Sequence, residues 1–211
     1  MDKNDLSYKV ASKMLEIGAV KFNFEEYFTW TSGIKSPIYC DNRASLSNHN
    51  LRSIVRNAYA EIVKEKFPNA EVIAGVATGA IAQGVLVADK LNLPFVYIRE
   101  KRKEHGLKKI IEGDLKKGQK MVIIEDHVST GGSGIRALEE AKKEGADVLG
   151  VIAAFSYGFP AAISGFERNN CELHIISTFL KIKNVALEEE YITKEEEDIL
   201  NKWYEDVRLK M

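Results

Sequence analysis

A chain of 211 residues, 45% hydrophobic and 29% charged, is long enough to bury a core of its own and falls within the range of one globular domain. Its formal net charge of -1 supplies no global field toward nucleic acid or an anionic membrane, so any basic function has to be local. Two cysteines far apart in sequence, Cys40 and Cys171, exclude both a CxxC pair and the dense framework of a disulfide-stapled secreted domain, and point to a reducing, cytoplasmic setting.

Residues 1–9 are polar and charged where an export signal needs an apolar stretch. Leu6, Val10, Met14 and Ile17 recur at helical spacing and run into Gly18, which predicts an amphipathic helix with a left-handed terminator. Residues 22–43 turn aromatic and β-rich, and predict a strand pair around a Ser32-Gly33 turn. Helical periodicity returns over 51–67. Short apolar runs then alternate with helical ones, at 71–77, 94–98, 120–125, 147–155 and 172–177. Strands apolar on both faces and separated by helix-length segments predict right-handed crossovers, hence an α/β fold with a mostly parallel central sheet flanked by helices. The uncharged run 148–166 is broken by Gly150, Ser156, Tyr157, Gly158, Pro160 and Gly165, and reads as a strand followed by a turn rather than a membrane span. A capping box, Thr193 with Glu196, opens an amphipathic closing helix. The chain divides into a small N-terminal hood over about 1–45, a core over about 46–180 and a C-terminal helix over about 181–211, all within one domain.

The chemistry concentrates in residues 121–137, MVIIEDHVSTGGSGIRA, where a buried strand ends in two acids and a small-residue loop leads into a helix. Ligands of open parallel sheets bind at the carboxyl ends of the strands, where Glu125 and Asp126 stand. Ionised carboxylates accept hydrogen bonds and a ribose diol donates two, while backbone N–H groups at a helix N-terminus suit a phosphate. Acids at strand ends and glycine-rich turns are each structural more often than functional; together they favour a site. The GxGxxA match from Gly132 to Ala137 lies one turn too far from its strand for a dinucleotide fold, and no lysine follows the glycines as a P-loop requires.

The run 123–133, IIEDHVSTGGS, resembles the phosphoribosyl pyrophosphate (PRPP) motif of type I phosphoribosyltransferases, in the EDxxSTGGS form of the orotate phosphoribosyltransferases. The resemblance implies the type I phosphoribosyltransferase fold. It assigns PRPP binding to Glu125, Asp126, His127, Val128, Ser129, Thr130, Gly131, Gly132 and Ser133. Residues 99–106, REKRKEHG, resemble the family's mobile loop, with Arg99, Lys101, Lys103 and His105 meeting pyrophosphate across a homodimer interface. Six basic side chains against two acids over 99–109 would otherwise mark a solvated hairpin or a nucleic-acid patch, but no aromatic residues interleave to stack bases. Fixed positive charge beside a departing pyrophosphate stabilises the transition state, so Lys103, His105 and Arg99 are catalytic candidates, joined by Asp126 as an acid on the ribose hydroxyls. The turn at 75–80 resembles the family's pyrophosphate loop and contributes Thr78 and Gly79, where some members carry a lysine. FTWTSGIKSPIYCDNR at 28–43 resembles the segment that covers the base; with the motif and the turn after the fourth strand it nominates Ser129, Lys35, Tyr39, Arg43 and Tyr157 for orotate. The implied cofactor is Mg²⁺ held by substrate and water, since His49, His127 and His174 lack ligand spacing. The expected reaction is transfer of ribose 5-phosphate from PRPP to orotate, with no nucleic-acid or membrane partner. A purine base such as xanthine, or a non-catalytic regulator on the same fold, is the alternative.

Overall fold

The computed structural model describes residues 5–30, 32–101 and 109–211. Helix α1 (Leu6–Glu16) is capped by the Asp5 carboxylate, which accepts from the Ser7 N–H at 3.2 Å, and it ends at Gly18, whose φ of +69° few other residues tolerate. Two small antiparallel ladders follow: β1 (Val20–Phe22) pairs with β4 (Ile38–Cys40), and inside that loop β2 (Phe28–Thr29) pairs with β3 (Lys35–Ser36). The Ser32-Gly33 turn closes the inner hairpin with Gly33 at φ +83°. The hood is therefore two nested ladders where the sequence predicts one. Helix α1 touches β1 of the hood and packs more extensively against α2 (His49–Lys66), β10 (Glu172–Thr178) and α6 (Phe179–Glu188), contributing Val10, Met14 and Leu15 to the core.

The core alternates β5 (Val72–Val76), α3 (Ile81–Leu91), β6 (Phe95–Ile98), β7 (Ile111–Glu112), β8 (Lys120–Val128), α4 (Gly132–Lys143), β9 (Asp147–Ser156) and α5 (Pro160–Arg168) before β10. Strand order is β10-β9-β8-β5-β6-β7, all parallel except the short edge strand β7, which turns back on β6. Alternation explains why each strand reads as continuously apolar. Val122 and Ile124 of β8 join the core under α1, α2, α3 and α6, while Met121 and Ile123 join the core under α4 and α5.

Two findings depart from the sequence reading. Strand β8 does not stop at Glu125; its parallel ladder with β9 continues through His127 and Val128, opposite Phe155 and Ser156. The closing segment holds two helices, the end of α6 and α7 (Lys194–Arg208), because Thr178 caps a helix of its own by accepting from the Lys181 N–H. The capping box at Thr193 and Glu196 forms as predicted.

The chain order fixes where a ligand can enter. After β5 the chain moves to β6 on one side, then returns to place β8 on the other, so the crossovers leave β5 and β8 in opposite directions. A crevice opens at that reversal, at the strands' carboxyl ends.

Candidate functional site

A cleft of about 550 Å³ occupies this crevice. Its core side consists of Val76 at the end of β5 with Ala77, Thr78 and Gly79 after it, Glu100 after β6, Glu125, Asp126 and His127 of β8, Ser129 in the turn that follows, and Ser133 at the start of α4. Its hood side consists of Thr29, Trp30, Ser32, Tyr39, Cys40, Asp41, Asn42 and Arg43, with Tyr157 from the turn after β9.

Because β8 stays extended, its two acids point to opposite faces. Glu125 turns toward α4, where its Oε2 accepts from the Ser133 hydroxyl at 3.2 Å, and it is only 4% exposed. Burial, and then the neighbouring Asp126 charge, push its carboxyl well above the usual carboxylate range. Asp126 turns toward α3 and the hood. Burial works to raise it too, but the hydrogen bond and charge of His127 outweigh that, and its carboxyl lies below the ordinary value. The His127 Nδ1 lies 3.1 Å from Asp126 Oδ1, and this contact in turn raises the imidazole. One acid is thus biased toward its proton and the other toward its charge, from adjacent positions on one strand.

The backbone carrying these acids is pinned from the side. The buried Tyr59 hydroxyl of α2 donates to the Glu125 carbonyl at 2.6 Å, and Asn42 Nδ2 donates to the Asp126 carbonyl at 2.8 Å. Gly79 lies so close that a Cβ there would sit 2.2 Å from Asp126 Oδ2.

Helix α4 begins without a side-chain cap. Gly131 takes φ +86°, a Cβ on it would come within 3.2 Å of Ala162, and the first bond into the helix is Ile135 N–H to Gly131 O at 2.9 Å. The N–H groups ahead of that bond, together with the positive end of a twelve-residue helix, form an anion seat beside Glu125.

The structure brings Glu125, Asp126, His127, Ser129, Ser133, Thr78, Gly79, Tyr39, Arg43 and Tyr157 to one cleft. Thr130 and Gly131 form the turn behind Ser129, Gly132 opens α4, and Val128 is buried at the end of β8. Arg99 lies outside the lining, paired with Glu112 at 3.1 Å, and Lys101 is exposed. Lys103 and His105 fall outside the described residues. Lys35 is exposed on β3 away from the lining; its backbone carbonyl, not its ammonium, is engaged. Arg43 faces the cleft while held by Asp41 at 2.7 and 3.0 Å, and this pairing lowers the Asp41 carboxyl. Sequence reasoning missed Trp30, Asp41, Asn42 and Tyr59. The aromatic FTW run could have flagged Trp30; nothing local marks Tyr59, which sits inside an ordinary amphipathic helix.

Comparison with known proteins agrees with this geometry. The phosphoribosyl transferase domain matches residues 43–190. The chain is 48% identical to an orotate phosphoribosyltransferase of Phocaeicola vulgatus over 196 residues, 93% of this chain and 92% of that relative. It is 49% identical to an orotate phosphoribosyltransferase of Streptococcus pneumoniae serotype 19F over 201 residues, 95% of this chain and 96% of that one. The crystal structure of the orotate phosphoribosyltransferase from Aeropyrum pernix superposes with a TM-score of 0.75 at 26% identity, covering 87% of this chain and 99% of the other. A family domain spanning most of the chain, and relatives nearly half identical along almost all of it, carry one conclusion: the chain belongs to the orotate phosphoribosyltransferase family.

Proposed function

We propose that the protein transfers the ribose 5-phosphate of PRPP to orotate, releasing pyrophosphate and forming orotidine 5'-monophosphate in pyrimidine biosynthesis, with residues 1–211 acting as a single phosphoribosyltransferase unit. The observation that carries this reading is the junction at the strand reversal: two carboxylates of opposite protonation bias stand beside an uncapped helix N-terminus, within one cleft whose other wall presents Trp30, Tyr39 and Tyr157.

The uncapped start of α4 seats the 5'-phosphate, through the N–H groups of Thr130 to Ser133 and the Ser129 and Ser133 hydroxyls. Asp126, carrying charge, accepts from the ribose diol and lies where a sugar ring cation develops, so it stabilises positive charge at the anomeric carbon. Glu125 takes the second hydroxyl and exchanges its Ser133 contact to do so. The turn at Thr78 and Gly79 offers backbone N–H groups to pyrophosphate, with Arg99, Lys101, Lys103 and His105 supplying positive charge as it departs. In this reading Lys103 and His105 deliver or share a proton with the leaving group. Tyr39, Arg43, Ser129 and Tyr157 bound the base side, where Arg43 offers a cation to the orotate carboxylate; Lys35 would need its side chain to swing toward the cleft to take part.

Hard oxygen donors dominate the core wall, so the donor set suits Mg²⁺. Among the described residues no group of three or more His, Cys, Asp or Glu side chains could cage a metal, and the ion would be carried by the donor's oxygens and by water. When bound it neutralises charge on the pyrophosphate. A homodimer in which residues 99–109 close over the neighbouring cleft is the assembly this reading favours, and two unpaired cysteines favour the cytoplasm.

The decisive experiment follows loss of orotate absorbance on adding PRPP and Mg²⁺, with xanthine run in parallel. Orotate turnover is expected. Robust xanthine turnover with none of orotate would replace the base, and tight, steeply salt-dependent nucleic-acid binding without turnover would replace the enzyme.

A further inference from the structure

The hood and the turn after β9 meet through Trp30 and Tyr157 and share a further support. Helix α7 lies behind both, outside the cleft lining, and makes one hydrogen bond to each. Trp203 Nε1 donates to the Lys35 carbonyl at 2.8 Å, and the Tyr204 hydroxyl donates to the Tyr157 carbonyl at 2.9 Å. Lys35 is paired in the hood hairpin with Thr29, which lines the cleft next to Trp30. Tyr157 lines the cleft from the opposite segment. Both donors are nearly buried, Trp203 at 6% and Tyr204 at 8% exposure, so an unmatched carbonyl left behind would have little water to turn to.

Ring contacts continue the same connection. Trp30 and Tyr157 touch across the cleft wall with centroids 4.4 Å apart, Trp203 meets Trp30 edge-on at 5.8 Å, and Tyr204 stacks on Phe179 at 4.6 Å. Gly158, at φ +72°, lets the turn pass close to Tyr204: a Cβ there would be 3.4 Å from the Tyr204 hydroxyl oxygen. Helix α7 is itself fixed at its start, where Lys183 of α6 reaches Glu197 at 2.7 Å and Asn201 at 2.8 Å.

We infer that Trp203 and Tyr204 are positioning residues for the base: they hold the touching pair Trp30 and Tyr157 in place, and thereby fix the aromatic surface on the hood side of the cleft that the planar acceptor meets. The inference rests on the proposed reaction and deepens it, because it separates the supports of the two substrates. The donor wall has its own brace, Tyr59 of α2 on the Glu125 carbonyl, and where the hood's Asn42 reaches the Asp126 carbonyl it does so from the segment after β4, not from the β2–β3 hairpin that Trp203 holds; neither contact passes through α7. Loosening α7 therefore displaces the Trp30–Tyr157 surface on the acceptor side and leaves the donor seat as it was.

The test is steady-state kinetics of Tyr204→Phe and Trp203→Phe with orotate and PRPP varied separately, alongside melting curves. Each substitution keeps an aromatic ring and removes one N–H or O–H donor. KM for orotate is expected to rise roughly 3- to 10-fold, the loss of about one hydrogen bond's net worth, with KM for PRPP within about twofold of wild type. A purely structural loss would instead lower the melting temperature and raise both constants together. Unchanged constants, or equal rises for both substrates, would overturn the positioning role. Should Trp203→Phe fail to fold, Tyr204→Phe decides alone, since it removes a single oxygen atom. Wild-type protein that does not consume orotate would refute the proposed reaction itself; active wild type with unaltered variants would refute only the part assigned to α7.

Discussion

The core wall of the cleft and the hood wall are built by different means. On the core wall, position is set by backbone: two βα turns at the ends of neighbouring parallel strands, a glycine pressed against Asp126, and a helix start with no side-chain cap. On the hood wall, position is set by side chains from segments far apart in sequence, as Trp30, Tyr157, Trp203 and Tyr204 stack and hydrogen-bond around one another. The contrast teaches where tolerance lies. A wall of fixed peptide groups costs no reorganisation as charge develops, which suits the phosphorylated sugar, whereas a wall of aromatic side chains can shift a little and suits a flat base.

Breaking the core wall should do most harm. Asp126→Asn keeps the shape but removes the charge facing the sugar, and kcat/KM is expected to fall about 100- to 1000-fold by orotate absorbance assay. A fall of less than threefold would remove Asp126 from the reacting centre. Gly79→Ala attacks the same carboxylate sterically, since the new Cβ would sit 2.2 Å from its oxygen. A loss of about 10- to 100-fold should follow without loss of fold, and it should appear in donor saturation curves. The hood wall should respond more gently and selectively. Trp30→Leu keeps apolar bulk but loses the ring against Tyr157, so KM for orotate should rise about 5- to 10-fold while PRPP saturation holds.

The smallest effect sharpens the contrast between the two acids. Burial holds the Glu125 carboxyl above its ordinary value, so its contribution to folding is full below about pH 4.3 and is lost as pH rises through the raised value. Glu125→Gln suffers no such loss. The variant should therefore melt a few degrees above wild type at pH 7, about 2 to 5 °C, with the gap closing toward pH 4. Calorimetry across that range checks the sign, and a gap that widens on acidification would contradict the assignment. His127 has the opposite sense to Asp126: with its imidazole raised, its contribution is full below about pH 6.5 and lost as pH rises through the raised value.

Much of this was legible along the chain. The apolar runs on β5, β8 and β9 announce strands buried on both faces, and the capping box at Thr193 marks the start of α7 at the right residue. The stretch from Glu125 to Ser133 states its chemistry because acids, hydroxyls and glycines are contiguous there. What stayed hidden is what contiguity cannot encode. The extension of β8 to Val128 depends on β9 offering Phe155 and Ser156 as partners, and Lys35 reads as a base ligand until its side chain is seen to lie outside the lining.

The sequence by itself determined the element types, the parallel α/β architecture and the donor-binding motif, since periodicity and a nine-residue run are local properties. Only the tertiary structure decided that Glu125 and Asp126 face opposite sides of one strand with opposed proton affinities, and that a helix beginning at Lys194 braces a hairpin beginning at Phe28. Burial and charge proximity are sums over neighbours from distant parts of the chain, and those neighbours exist only once the sheet has ordered its strands.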